Sequence, residues 1–365
     1  MVTVAGFAFS GDYKSAAERF PYTFKHFESG RVNPEAGFSR MIVERMRTVN
    51  NTGITFNTRD MVGNKNSDQT LMAILVLTDE IVANENFGGY YKTFLNLRGN
   101  AMIFDNRSNI LIRNFPISVI LFDATEGDNP PTEAAISIFV EDLIRRPDGS
   151  GLISQFIKKM EKATLPGNTT KTVQVKQGEI APEALTLLPE SLRNNPNAGN
   201  SMVADAFASV LAARSSLAIL PNSIGHANGI MTLRLESGDD YQVKIAEGDY
   251  LFDVKLNKLV KKKYKETPAE VAWLYGASVS IKFYEPNLNT IFFESEIRNT
   301  ESATVPAGKI SGDDFAAYND AIVGLFKKFS EALNTPGTPW IITATSNKDI
   351  ESQLSTSRKQ LDKSK

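Results

Sequence analysis

Residues 198–221 read AGNSMVADAFASVLAARSSLAILP. Met202, Val203, Ala206, Phe207, Val210 and Leu211 recur near a 3.6-residue period, which predicts a helix with one apolar face. Leu217 and Ile219 then alternate with their neighbours, as in a half-buried strand. Residues 36–57 read AGFSRMIVERMRTVNNTGITFN. There Phe38, Ile42, Met46 and Val49 fall close to helical spacing, and Ile54 and Phe56 alternate with Thr55 and Asn57. Both stretches open with Ala-Gly and a nearby Ser, and both lead on to a glycine, Gly63 and Gly225. The offset between them is 198 − 36 = 162 residues.

A second match follows downstream. Leu95–Phe104 alternates, turns through Asp105–Asn109 and returns as Ile110–Phe115. Leu274–Phe283 alternates, turns through Glu285–Asn289 and returns as Thr290–Ile297. Asn, Asp, Ser and Pro between two apolar runs are turn formers, because their side chains bond the local backbone or their φ is preset. Each half then closes on an amphipathic helix. The first carries Leu152, Ile153, Phe156, Ile157 and Met160. The second carries Phe315, Tyr318, Ile322, Leu325, Phe326, Phe329 and Leu333, with Asp313 and Asp314 suited to the positive end of the helix dipole.

The expected fold is therefore α/β (α+β): two similar domains, each a mixed β-sheet packed with amphipathic helices. The first domain spans 1–165 and the second 198–345. Residues 166–197 hold Pro166, Pro182, Pro189 and Pro196 among asparagines and read as a linker, with a short helix at Glu183–Leu188. Residues 346–365 are polar and basic and read as a disordered tail. Alternating strands predict at least one partly wet sheet face. The helices are expected to bury Ile42, Met46, Val203, Phe207, Phe326 and Phe329.

Composition narrows the function classes. The chain has 365 residues, a net charge of −2, no cysteine and two histidines. Disulfides, Cys-based metal sites and thiol chemistry are excluded. The near-neutral balance argues against a general nucleic-acid binder. No apolar run approaches the roughly 18 residues of a membrane helix. No basic segment followed by an apolar one marks a leader, so the chain is expected to be periplasmic or outer-membrane-associated if a leader has been removed, and cytoplasmic otherwise.

No catalytic, cofactor or metal constellation stands out. His26 sits among aromatics at Tyr22–Phe27 and reads as a packing histidine. His226 lies in a glycine-flanked loop. Gly308-Lys309 lacks the rest of a phosphate loop. Phe87–Tyr91 reads as a turn or bulge, and the acidic stretches at Asp123–Asp128 and Asp239–Asp240 lack calcium-loop spacing. Lys255, Lys258, Lys261, Lys262, Lys263 and Lys265 punctuate a strand. Protection of a sheet edge is the plain reading, and contact with an anionic surface such as lipid headgroups is the sharper one.

The element order of each half resembles the small α/β domain shared by the curli-secretion lipoprotein CsgG, the penicillin-binding-protein activator LpoB and the N-terminal domain of TolB. The pattern runs through a strand at Thr3–Phe9, helix and strand at Ser39–Phe56, a strand at Leu71–Leu77, the hairpin Leu95–Phe115 and a helix at Leu152–Ala163. It recurs from Met202 to Leu333. The resemblance implies a non-catalytic role in the bacterial envelope, as assembly part, enzyme activator or ring-forming subunit. It carries no lipid-attachment Cys here. Protein partners or self-association are expected, with no cofactor. Trp340, Ile341 and Ile342, past the turn Thr335–Pro339, read as the start of a β-branched strand that could pair with its own sheet or a partner's. The rival readings are a carboxylate-based hydrolase and a small-ligand binder using an interdomain cleft.

Overall fold

A computed structural model describes residues 1–11, 13–58, 71–86, 89–165, 167, 170–214, 217, 219–222, 229–306 and 314–364. The first run of elements is β1 (Val2–Ser10), α1 (Tyr13–Arg19), α2 (Thr23–Val32), α3 (Phe38–Met46), β2 (Phe56–Asn57), β3 (Leu71–Asn86), β4 (Tyr90–Asp105), β5 (Ile110–Glu126), α4 (Glu133–Arg145) and α5 (Leu152–Glu161). The second is β6 (Val173–Ile180), α6 (Pro182–Leu185), α7 (Glu190–Arg193), α8 (Pro196–Arg214), β7 (Ile219–Leu220), β8 (Ile230–Leu235), β9 (Asp240–Lys244), β10 (Tyr250–Glu266), β11 (Glu270–Glu285), β12 (Thr290–Pro306), α9 (Asp314–Asn334), α10 (Pro339–Ala344) and α11 (Ile350–Leu361). The class is α+β, with two mixed sheets. The first has order β2-β1-β3-β4-β5-β9-β8 and the second β12-β11-β10-β6-β7.

Without the β8–β9 hairpin, the first sheet has the same order as the second, β2-β1-β3-β4-β5 against β7-β6-β10-β11-β12. Strand directions agree as well. So do most of the irregularities, the slip of β10–β11 at Tyr264 being without a counterpart in β3–β4. The β3–β4 register slips at Thr78 and the β10–β11 register at Asn257, and 257 − 78 = 179. The β4–β5 register slips at Ile112 and the β11–β12 register at Phe292, and 292 − 112 = 180. Among described residues the non-glycine positive φ angles are Asn109 (59°) and Asn289 (48°), again 289 − 109 = 180 apart. Each asparagine sits in the left-handed region at the end of its hairpin turn, where most side chains clash. A bulge or a left-handed residue disturbs a ladder at one defined position, so matched positions carry more weight than the few shared residue identities.

The offset grows between β2/β7 and β3/β10, from 219 − 56 = 163 to 250 − 71 = 179. The extra 16 residues fall where β8 and β9 lie. That hairpin crosses to the first sheet. β8 pairs β1 antiparallel at Ala8↔Leu235 to Ser10↔Leu233, and β9 meets β5 at Ile110↔Lys244. Met231, Leu233 and Val243 then cover Ile74, Val76, Met102 and Phe104. Glu236, one residue past β8, accepts from the backbone N–H of Phe38 (3.1 Å) and Ser39 (2.6 Å) at the start of α3. It supplies the N-terminal acceptor that Gly37 cannot.

Several expectations need correction. The first sheet has no wet face along β1, where all nine residues are buried. Helices cover one side and the hairpin the other. The second sheet does alternate, as in β11. The stretch read as a linker, 166–197, supplies β6, the strand beside β10, because Val173 and Val175 bury against the helix layer. The stretch read as a disordered tail, 346–365, forms α11. Its apolar residues are sparse, but Ile350, Leu354 and Leu361 all enter the core. Trp340–Thr345 is not a strand. Pro339 opens α10 at its first position, where its missing N–H costs nothing. Residues 230–244 lie inside the segment assigned to the second domain but complete the first sheet.

Ile42, Met46, Val203, Phe207, Phe326 and Phe329 are all buried. Phe207 stands edge-on to Phe326 and Phe252, with ring centres 5.2 and 5.1 Å apart. Phe326→Ala is expected to destabilise the fold by about 3–5 kcal/mol, read by denaturant melts. A loss below about 1 kcal/mol would place the ring outside the load of the core. No helix among the described residues is long and apolar enough to cross a membrane.

Candidate functional site

The two sheets meet across α8 and the start of α9. Ile81 and Phe94 on the first sheet join the core of the second, and Phe94 packs edge-on to Phe315 at 4.7 Å. Arg98 lies on the same face. The slip at Thr78 sets Asp79 directly across from it, and the two side chains form an ion pair. From α8, Asp205 Oδ2 comes within 3.5 Å of Arg98 Nη1, and Asn222 donates to Asp205 at 2.5 Å. Arg98 is 2% exposed, and its Nε and Nη1 make no hydrogen bond. Burial pulls its pKa down to about 10, against the charge of Asp205. Burial likewise raises the Asp205 carboxyl, opposed by Arg98 and the Asn222 bond.

Beside this network opens a polar cleft of about 800 Å³, lined by Ser10, Arg19, Asp79, Asn100, Asn195, Asp205 and Asn222. Arg19 straps its wall by donating to Ser10 O at 2.6 Å and Thr78 O at 3.3 Å. Glu80 caps α2, accepting from the N–H groups of Tyr22 and Thr23 at 2.9 Å each. Burial pushes its carboxyl up, and those backbone bonds push it back. A hydrolytic pair needs one carboxylate poised as acid and one free as base or nucleophile. Here both aspartates turn toward one guanidinium.

The residues singled out by sequence do not converge on this cleft. His26 bonds Ser137 at 2.9 Å and faces Glu141 at 3.5 Å between α2 and α4. His226 lies outside the described residues, as does most of the stretch Val305–Gly312. Phe87 and Gly88 are outside them too, and Gly89 turns with φ +89°. Ile341 is buried and Trp340 packs on the core, whereas Ile342 is 57% exposed. Among the described residues no group of three His, Asp or Glu is placed to hold a metal ion. Sequence reading passed over Arg98, Asp79 and Asp205. The available signal was Leu95-Asn-Leu-Arg-Gly-Asn100, which puts three long polar side chains on one side of a strand whose other side is apolar.

No protein-family model matches this chain, and no curated protein matches it. Among solved structures, the chain is similar over 46% of its length to a protein described as a homologue of neuraminyllactose-binding hemagglutinin from Helicobacter pylori. That match covers 87% of the other chain at 12% identity and a TM-score of 0.26, too low to carry an argument.

Proposed function

We propose that this protein is a non-catalytic binding and assembly component of the bacterial cell envelope, either a scaffold or an activator. The observation that carries the reading is the stacking of its two matched units. Helices of the second unit, α8 and α9, occupy the sheet face of the first through Asp205 and Phe315. Such helix-on-sheet stacking is a recognition mode that a partner can repeat. The envelope placement follows from the resemblance to the CsgG, LpoB and TolB-type domain. In-cell cross-linking with fractionation tests it. Discrete cross-linked species in the envelope fraction are expected, and an uncross-linked chain confined to the cytosol would overturn the reading. The polar cleft supports a second reading, a small-ligand binder. It predicts a rise in melting temperature with a polar ligand that is lost in Asn222→Leu.

A further inference from the structure

The six lysines of β10 do not share one fate. Residues directly across a ladder share a face. Lys261 and Lys263 lie on the helix side, opposite Tyr275 and Trp273. Lys261 pairs with Asp314 at 2.7 Å and sits 4.5 Å over the Trp273 ring, and Lys263 pairs with Glu266. Lys255, on the other side, pairs with Glu179. Lys258, Lys262 and Lys265 share that outer side, are exposed, and make no ion pair among the described residues. They stand in rows with Ser278–Arg298, Leu274–Ser302 and Ala272–Thr304. Between them Val260, Leu274 and Gly276 floor a groove of about 860 Å³, walled on one flank by Pro182. The groove thus has an apolar floor and a rim on which Lys258 and Lys262 stand unpaired among the described residues, with Glu183 also lining it and Glu296 engaged by Arg298.

The repeat supplies an internal comparison. Subtracting the offsets of 179 for β10 and 180 for β11 takes Lys258, Val260, Leu274 and Ser278 to Asp79, Ile81, Phe94 and Arg98. That face of the first sheet is not open. It is covered by helix, with Phe315 on Phe94 and Asp205 of α8 against Arg98. Apolar helix positions meet the apolar floor, and an acidic helix residue meets the cation. Three lysines at Lys258, Lys262 and Lys265 are not needed to build such a sheet, since the first sheet has Asp79, Ala83 and Glu85 at those ladder positions.

We propose that the outer face of β10–β12 docks an amphipathic helix of a protein partner, apolar on one side and carrying carboxylates along its flanks. The inference rests on the assembly reading and names the chemistry of the partner.

Fluorescence anisotropy with a labelled synthetic helix of about 18 residues, five turns, leucine on one face and glutamate on its flanks, tests it on the full chain. Binding is expected to weaken with salt. K258Q/K262Q/K265Q is expected to weaken it by about tenfold or more, with an unchanged melting temperature. Leu274→Asp should remove it. Equal binding of a lysine-flanked helix, tighter association with vesicles of phosphatidylcholine and phosphatidylglycerol, or no binding overturns the proposal. Self-association of the triple variant with peptide binding unchanged also overturns it, and assigns the lysines to edge protection. If the peptide fails while envelope cross-links persist, this inference falls and the assembly reading stands. Loss of both removes both.

Discussion

Removal of residues 336–365 is expected to leave the second unit unable to hold its native fold. Ile341, Ile350, Leu354 and Leu361 are each at most 5% exposed. At about 1.5–3 kcal/mol for each buried aliphatic side chain, the four contribute about 6–12 kcal/mol. A whole domain commonly has only about 5–15 kcal/mol to lose. Polar contacts act in the same direction. Arg358 donates to the carbonyls of Leu333 (2.8 Å) and Ala332 (3.1 Å), satisfying the last turn of α9. Thr345 Oγ1 meets Ser295 Oγ at 2.8 Å. A truncated chain should express as aggregate or melt without a cooperative transition. Leu354→Ala, a milder probe, should cost about 2–5 kcal/mol. A truncation that melts within a few degrees of the full chain would show that α10 and α11 rest on the surface, and would restore this segment as a free partner element.

The tail also marks where sequence reading stops. Its apolar residues number few among Ser, Lys and Asp, so no stripe of ordinary width stands out, and only the facing core makes Leu354 and Leu361 interior. The same holds for Val173 and Val175, which open an eight-residue strand whose apolar alternation is brief, VQVKQGEI. Helices with full stripes, at Met202–Leu211 and Phe315–Leu333, were legible because their periodicity is local. So was the hairpin pair, although the registers align at 180 rather than the 179 that Leu95 and Leu274 suggest. What no local pattern carries is the crossing of β8 and β9. That pairing links Leu235 to Ala8 over 227 residues (235 − 8), and its cause is an apolar face of the first sheet, Ile74, Val76, Met102 and Phe104, that the hairpin buries. The cleft escaped for the same reason. Asp205 reads as one polar position in an Ala-rich helix until α8 is laid across Arg98.

Arg98→Met is the second large effect. Deleting one member of a buried ion pair strands the other charge, at a cost of about 3–5 kcal/mol. Here two carboxylates, Asp79 and Asp205, lose the same partner. Adding Asp79→Asn and Asp205→Asn should recover at least half of the loss, because no buried charge remains. If the three changes simply add, the network is not coupled and the assignment fails. The pH dependence gives an independent check. Burial raises the folded-state pKa of Asp205, and Arg98 opposes the rise. An acid raised on folding binds its proton more tightly folded than unfolded. Its favourable contribution is full below the unfolded value near 3.9 and fades as pH climbs through the folded one. Without Arg98 that rise grows, so the Arg98→Met deficit should be largest at neutral pH and should narrow toward about pH 4. In the second sheet Ser278 holds the equivalent place, and its cross-strand neighbours Lys258 and Arg298 are exposed, so the strand itself does not require a buried cation there. Arg98 belongs to the contact between the units. Its loss should therefore loosen α8 from the first sheet before it unfolds either sheet, visible as early hydrogen exchange at the start of α8.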